Sequence, residues 1–242
     1  MHLRILLAGL ALTLAACATY QTPGAGVAVG NMAGADEDIA EVMSREPQAA
    51  FPARLAVARV QSPGYQLTND ACYGKGRYCV VTARDIESEE DFGRLAALPG
   101  VAGVAPLGRM LLPEQLDGVR ELRLAAANLK ADILLVYSLD TRFRVESNDV
   151  GPLSVISLGF FKNKNAQVAT TAAAALFDVR SGFVYGVAEA TAREDQRASL
   201  WSTRSAIEGA KQATESASFQ LLLGEIDTLW RDIVAQQAAP GR

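Results

Sequence analysis

LDGVRELRLAAANLKADILLVY, residues 116–137, joins two different periodicities in one run. In its first half Leu116, Val119, Leu122, Ala126 and Leu129 recur at steps of three and four, which places them on one face of a helix. The second half is the unbroken apolar run Ile133, Leu134, Leu135, Val136 and Tyr137, the composition of a central strand covered on both faces. A helix leading straight into a two-sided strand is an α/β unit, and the rest of the chain is read as what packs around it.

Upstream, FPARLAVARV (51–60) alternates apolar residues with arginines or alanines at period two and predicts a first strand. YCVVT (78–82) predicts a second. Ser88 followed by Glu89, Glu90 and Asp91 marks a helix start, with acids where the helix dipole favours them, and Pro99-Gly100 marks its stop. Residues 101–107 predict a short extended segment. Downstream, residues 168–179 and 183–192 predict two strands of a hairpin turned at Arg180-Ser181-Gly182, where Gly182 can take a positive φ. The closing helix, about 200–236, carries the stripe Leu222, Ile226, Leu229 and Ile233. The expected fold is therefore α/β, an α+β sandwich: a mixed sheet of four to five strands, helices packed on it and a long C-terminal helix. One domain is expected over 51–237, with a short tail at 238–242 and no internal repeat.

The N-terminus has a different character. Arg4 precedes an apolar run from Ile5 to Ala16, too short to span a bilayer, which is the pattern of an export signal. The run ends in Leu14-Ala15-Ala16-Cys17, which resembles the lipobox of bacterial lipoprotein precursors. That resemblance implies cleavage before Cys17 and acylation of its thiol and amine, and two or more acyl chains anchor stably where one does not. Ala18, in place of Asp, implies sorting to an outer membrane. The Ala- and Gly-rich residues after Cys17 have no clear period; a tether over 17–50 is expected, with a short helix at 38–44 before Pro47. Some thirty flexible residues would reach about 30 Å.

The full chain of 242 residues has a formal net charge of −4. Without residues 1–16 it has 226 residues, with 22 Lys and Arg against 27 Asp and Glu, a net charge of −5. This mildly acidic body shows no basic stripe, so nucleic acid is not an expected partner. The only histidine, His2, lies in the signal, which removes Ser-His-Asp and Cys-His catalysis and every histidine-containing metal site from the mature chain. Cys72 and Cys79 bracket a segment with two glycines and are read as a disulfide, which would close an eight-residue loop worth about 2 to 3 kcal/mol. A metal pair would need soft ligands the chain lacks, so no metal and no cofactor are expected.

The segments AAANLKADILLVY (125–137) and ALFDVRSGFVYG (175–186) resemble a family of envelope lipoproteins: helix, Ala-Asp-apolar strand, then a hairpin turned at Asp-x-x-Ser/Thr-Gly. The pattern is shared loosely by the curli-secretion-channel family, the lipoprotein activators of penicillin-binding proteins and the N-terminal domain of the translocation beta-propeller protein. Over about 51–235 the chain is similar to the rhombotarget (rhombotail) lipoproteins, although the Gly-Gly and hydrophobic tail those carry for a rhomboid-type protease are missing at 236–242. The resemblance implies a sandwich that acts through protein contacts, with no catalytic residues to transfer.

Several candidate sites remain. Glu87, Glu89, Glu90 and Asp91 lack calcium-loop spacing and are read as a solvated helix start. Gly74-Lys75-Gly76 lacks the rest of a phosphate loop and is read as a turn. Asp140 and Thr141, placed at the end of the buried strand, are the candidate ligand pocket. Residues 152–161 are apolar in what should be a connection, so Leu153, Val155, Ile156, Leu158, Phe160 and Phe161 are candidates for partner contact. Taken together, the sequence predicts a lipid-anchored envelope protein, facing the periplasm from the outer membrane and binding another envelope protein without catalysis. The alternatives are a hydrolase using carboxylates such as Asp140 and Asp178, and a pore-forming oligomer. The oligomeric state is not readable.

Overall fold

The computed structural model of the chain describes residues 39–63, 72–147, 164–197 and 204–238. Their elements, in order, are α1 (Ile39–Met43), β1 (Ala53–Gln61), β2 (Lys75–Gly76), β3 (Cys79–Val81), α2 (Glu89–Ala96) and β4 (Val101–Pro106). After a 3-10 turn (Arg109–Leu111) come β5 (Gln115–Leu116), α3 (Val119–Asn128), β6 (Ile133–Ser147), β7 (Lys164–Asp178), β8 (Val184–Arg197) and α4 (Arg204–Ala238). The main sheet is mixed and six-stranded, in the order β3-β1-β6-β7-β8 with β4 beside β1 on the β3 side; β2 and β5 form a separate small pair. The α+β architecture is the one expected, with more strands and with longer hairpin arms.

The centre follows from the run that opened the sequence reading. β6 pairs in parallel with β1, Leu55 opposite Ile133 through Arg59 opposite Tyr137, and antiparallel with β7 along all fifteen of its residues. Alternate residues of these strands build two cores. On one face Leu55, Val57, Leu135, Leu139, Leu176, Phe219, Leu222, Ile226 and Trp230 meet beneath α4 and α2. On the other, Ala56, Val60, Leu134, Val136, Ala175 and Phe177 meet Leu122, Ala125 and Ala126 of α3. Burying Leu-sized side chains contributes roughly 1.5–3 kcal/mol each, which is why two layers of helix form on this sheet.

Local chemistry ends and aims these elements. Ser88 caps α2 by accepting from the Asp91 N–H, while the Asp91 carboxylate accepts from the Ser88 N–H. After α3, Lys130 takes a left-handed φ of 58° and the Ala131 N–H returns to the Ala126 carbonyl, turning the chain into β6. Asp132 then knits two strands, accepting from the Arg54 N–H at 3.0 Å with its side chain and from the Val179 N–H at 3.0 Å with its carbonyl. Gly182 adopts a φ of 75° in the β7–β8 turn, the role assigned to it from sequence.

Three local expectations change. Leu116 belongs to β5 and not to the helical face of α3, yet it is fully buried in the same core. The acids at 87–91 are not uniformly solvated: Asp91 is buried and hydrogen bonded to Gln220, and the Glu87 side chain is also buried. The stripe on α4 is wider than predicted, because Phe219, Leu223 and Trp230 join Leu222, Ile226 and Ile233 in the core while Leu229 packs on Gly186. Among the described residues no helix is long and apolar enough to cross a membrane.

Candidate binding surface and buried polar network

Asp140 and Thr141 do not end a strand. β6 continues to Ser147, so both lie mid-strand and, as neighbours, on opposite faces of the sheet. Thr141 points under α4, where its hydroxyl lies 2.9 Å from that of Thr170 and donates to Glu215 Oε1 at 3.0 Å. Asp140 lies on the other face, half-buried, and accepts from Arg142 Nε and Nη2 at 3.1 and 2.8 Å. A shared pocket at these two residues is therefore not formed.

The pairing of Asp140 with Asp178 is corrected too. Asp178 stands opposite Ile133 and Asp140 opposite Thr171, seven residues further along β6. At 3.3 Å per residue that separates them by about 23 Å, and they face opposite sides. The two carboxylates cannot act on one bond.

Asp178 has a different task. Its Oδ1 accepts from the N–H groups of Arg180 and Ser181 at 2.8 and 2.9 Å, which shapes the hairpin turn. Its Oδ2 accepts from the N–H groups of Gln48 and Ala49 at 2.6 and 2.8 Å and from the Tyr185 hydroxyl at 2.9 Å. Burial alone would raise this carboxyl, but the donors from Ser181, Gln48, Tyr185 and Arg180 outweigh it and hold the group below the ordinary aspartate range. Here the last residues of the expected tether are fastened to the domain.

Beneath α4 lies a polar network that sequence reasoning missed. Arg59 of β1 is buried, with Nη1 2.6 Å from Asp85 Oδ1 and 3.6 Å from Glu87 Oε1, and Nη2 3.7 Å from Glu215 Oε2. Lys211 Nζ lies 3.7 Å from Glu215 Oε1, and the Tyr137 hydroxyl donates to Glu87. Burial, reinforced by the Glu87 carboxylate, keeps the Tyr137 phenol protonated well above its ordinary range. Burial also raises Glu215, against the opposing pull of Lys211 and Arg59. A lone arginine between Val57 and Gln61 was the signal in the sequence: a cation placed in a strand that must be covered has to bring its counter-charges with it. The side chains of Arg59, Glu87 and Glu215 are 2 to 4 % exposed, so these three form an internal brace between β1 and α4. Among the described residues no cluster of three or more His, Cys, Asp or Glu has metal-binding geometry.

The accessible chemistry lies on the opposite face. The core under α3 ends at Val136 and Ala175, and beyond it the long arms of β6, β7 and β8 carry a polar, small-residue surface. In register across the three strands stand Ser138-Ala173-Glu189, Asp140-Thr171-Thr191 and Arg142-Ala169-Arg193. Arg142, Val187, Glu189 and Arg193 are exposed, while Asp140, Ala169, Thr171, Ala173 and Thr191 are half-buried. The Thr171 and Thr191 hydroxyls lie 2.9 Å apart. The period-two pattern of residues 183–192 carried this face in the sequence.

Cys72 and Cys79 are brought together, with Cα atoms 5.5 Å and sulfurs 2.22 Å apart. The candidate lipid site Cys17 and the candidate contact residues Leu153, Val155, Ile156, Leu158, Phe160 and Phe161 lie outside the described residues.

The fold thus defines a three-layered α+β domain, a six-stranded mixed sheet with helices on both faces. No family model matches the chain, and no curated protein does. Among solved structures it is similar to the PelC dodecamer from Paraburkholderia phytofirmans, at 16% identity and a TM-score of 0.30 over 74% of this chain and 93% of that one. It is also similar to protein XCC0632 from Xanthomonas campestris (13% identity, TM-score 0.32, 80% and 89% covered). A minor lipoprotein from Acinetobacter baumannii matches at 12% identity and a TM-score of 0.30, over 80% of this chain and all of that one. Likeness at this level assigns neither family nor activity.

Proposed function

We propose that the chain is a lipid-anchored bacterial envelope protein, held to the outer membrane through Cys17 and facing the periplasm, whose domain works by non-enzymatic contact with another envelope protein. The observation that carries the reading is the lipobox-like Leu14-Ala15-Ala16-Cys17 at the end of a signal-length apolar run. The fold supports it in two ways. About thirty residues after Cys17 the chain is tied down, by the backbone bonds of Gln48 and Ala49 to Asp178. The buried Arg59 is paired with Glu87 and Glu215, whereas the β6–β8 face exposes Arg142, Glu189 and Arg193 to a partner.

Fractionation of cells producing the full chain tests the reading. The parent should sediment with the outer membrane and carry acyl groups on Cys17 by mass spectrometry, while Cys17→Ser should leave the membrane fraction. Equal retention of Cys17→Ser, or a parent without lipid, would refute it. A photo-crosslinking residue at Arg142, on the open face, should capture an envelope protein that the same residue at exposed Gln212 of α4 does not.

A further inference from the structure

The outer edge of β8 is the feature the functional reading leaves unused. β8 runs for fourteen residues and pairs with β7 on one side; among the described residues no strand pairs with it on the other. A strand edge is a template for another strand, and edges are ordinarily blunted by proline, by charged side chains, lysine above all, by bulges or by shortness. Residues 184–197, VYGVAEATAREDQR, contain neither proline nor lysine, their charges (Glu189, Arg193, Glu194, Asp195 and Arg197) are of both signs and so admit a partner of matching pattern, and the one register shift with β7 is confined to the turn end at Leu176 and Phe177. Two large apolar side chains of this strand, Val184 and Val187, are 44% and 68% exposed.

Its charges point to what covers it. Glu189 and Arg193 are exposed on the same face, with Thr191 between them. Inside the chain their cross-strand neighbours are Ala173 and Ala169, which offer no counter-charge. Opposite charges four residues apart on one face of a strand complement each other when that strand pairs antiparallel with its own copy. With Thr191 on the two-fold axis, Glu189 of each copy stands directly opposite Arg193 of the other. This register uses residues 185–197, all but one of the fourteen. A slip of two residues either way keeps the faces matched but takes Glu189 off Arg193 in both copies.

We infer that the protein dimerises through β8, its outer edge pairing antiparallel with β8 of a second copy about a two-fold axis at Thr191, so that one sheet runs through both. The dimer carries the open β6–β8 faces of both copies side by side, and it stands whether or not Cys17 bears lipid.

The full chain carrying Thr191→Cys, oxidised in membranes, tests this. Residues directly opposite in an antiparallel pair have Cα atoms about 4.5–5.5 Å apart, within reach of a disulfide. Thr191→Cys should therefore convert most of the chain to a covalent dimer. Thr171→Cys, one strand further in and about 14 Å from its counterpart at the usual strand spacing, should give only the background of the parent. Glu189→Arg added to Thr191→Cys turns two attractive pairs into two repulsive ones and should cut the yield roughly fivefold or more; adding Arg193→Glu as well should restore it. In sedimentation in detergent, the parent should have a dimer's mass and the Glu189→Arg chain a monomer's. A monomeric parent, equal cross-linking at positions 171 and 191, or a double charge swap that fails to restore the dimer would overturn the inference.

Discussion

Replacing Asp178 by Asn removes one charge and turns one acceptor into a donor, in a place where five donors converge. The amide oxygen can keep the Oδ1 role toward the N–H groups of Arg180 and Ser181, and the Tyr185 hydroxyl can rotate to accept. The Gln48 N–H then faces an amide NH2 and loses its acceptor, while the Ala49 N–H keeps only the Tyr185 hydroxyl at 3.3 Å. One part-buried donor left unsatisfied and a second weakened cost about 1–3 kcal/mol together. For a domain of this size 1 kcal/mol moves Tm by about 2–4 °C, so Asp178→Asn should lower Tm by roughly 2–12 °C. The loss is local in origin: hydrogen exchange should accelerate first at the amides of residues 48 and 49. Asp140→Asn, which removes the same charge from a half-buried group paired only with Arg142, should change stability by less than about 1 kcal/mol. A Tm for Asp178→Asn within 2 °C of the parent's, or exchange at 48 and 49 unchanged, would refute the assignment of Asp178 as the clasp of the N-terminal segment.

The acid limb of stability follows from the same group. Because Asp178 is held below its ordinary value of 3.8, its contribution is complete above that pH and is lost as pH falls through the lower folded value; melting from pH 6 to 2 should show a fall that Asp178→Asn flattens. Glu215 has the opposite sign: its folded value is raised above 4.5, so stability declines as pH rises from 4.5 through that value, and Glu215→Gln should reduce this slope in the same melts. Arg59→Met leaves Glu87 and Glu215 as buried carboxylates short of a cation, and chemical denaturation should show a loss of about 3–5 kcal/mol; a loss under 1 kcal/mol would mean that the network is not what holds β1 to α4. Reducing the Cys72–Cys79 bridge, or replacing both residues by Ser, should cost about 2 to 3 kcal/mol, with no change in the far-ultraviolet circular dichroism of the folded chain.

Much of this fold could be read from spacing. The run at 116–137 placed α3 against β6, the Ser88 and Asp91 signal placed α2, and Gly182 placed the hairpin. What escaped was whatever depends on partners distant in the chain. Nothing local to residues 138–147 distinguishes a strand that stops at Tyr137 from one that continues. β6 continues because β7 supplies a hydrogen-bonding partner for every residue to Ser147, and that moved Asp140 and Thr141 from the end of a strand to its middle. Arg59 and Glu215 likewise mean little singly; each is explained by the other, 156 positions away. Asp178 was visible as a turn residue, but its hold on Gln48 and Ala49 requires a neighbour 130 residues earlier.

The placement of the clasp bears on how such a domain would work from a membrane anchor. Gln48 and Ala49 meet the sheet at the Asp178 end of β7, beside the turn to β8. From there β7 runs back to Gln167, eleven residues away, or about 36 Å at 3.3 Å per residue. Arg142 and Arg193, in register with Ala169, therefore lie about 30 Å along the arm from the point where the anchored segment attaches, and Thr191, in register with Thr171, about 23 Å. A chain held at one pole keeps its exposed strands clear at the other, where neither α3 nor the clasp competes for them. Moving the point of attachment tests this separation: a chain in which Asp178→Asn frees residues 48 and 49 should keep its Thr191→Cys cross-link under conditions where it remains folded. The clasp and the β8 edge have only Tyr185 in common, at the end of the paired register and six residues, or about 20 Å, from Thr191, so loss of that cross-link from a folded Asp178→Asn chain would show that the two ends of the sheet are coupled.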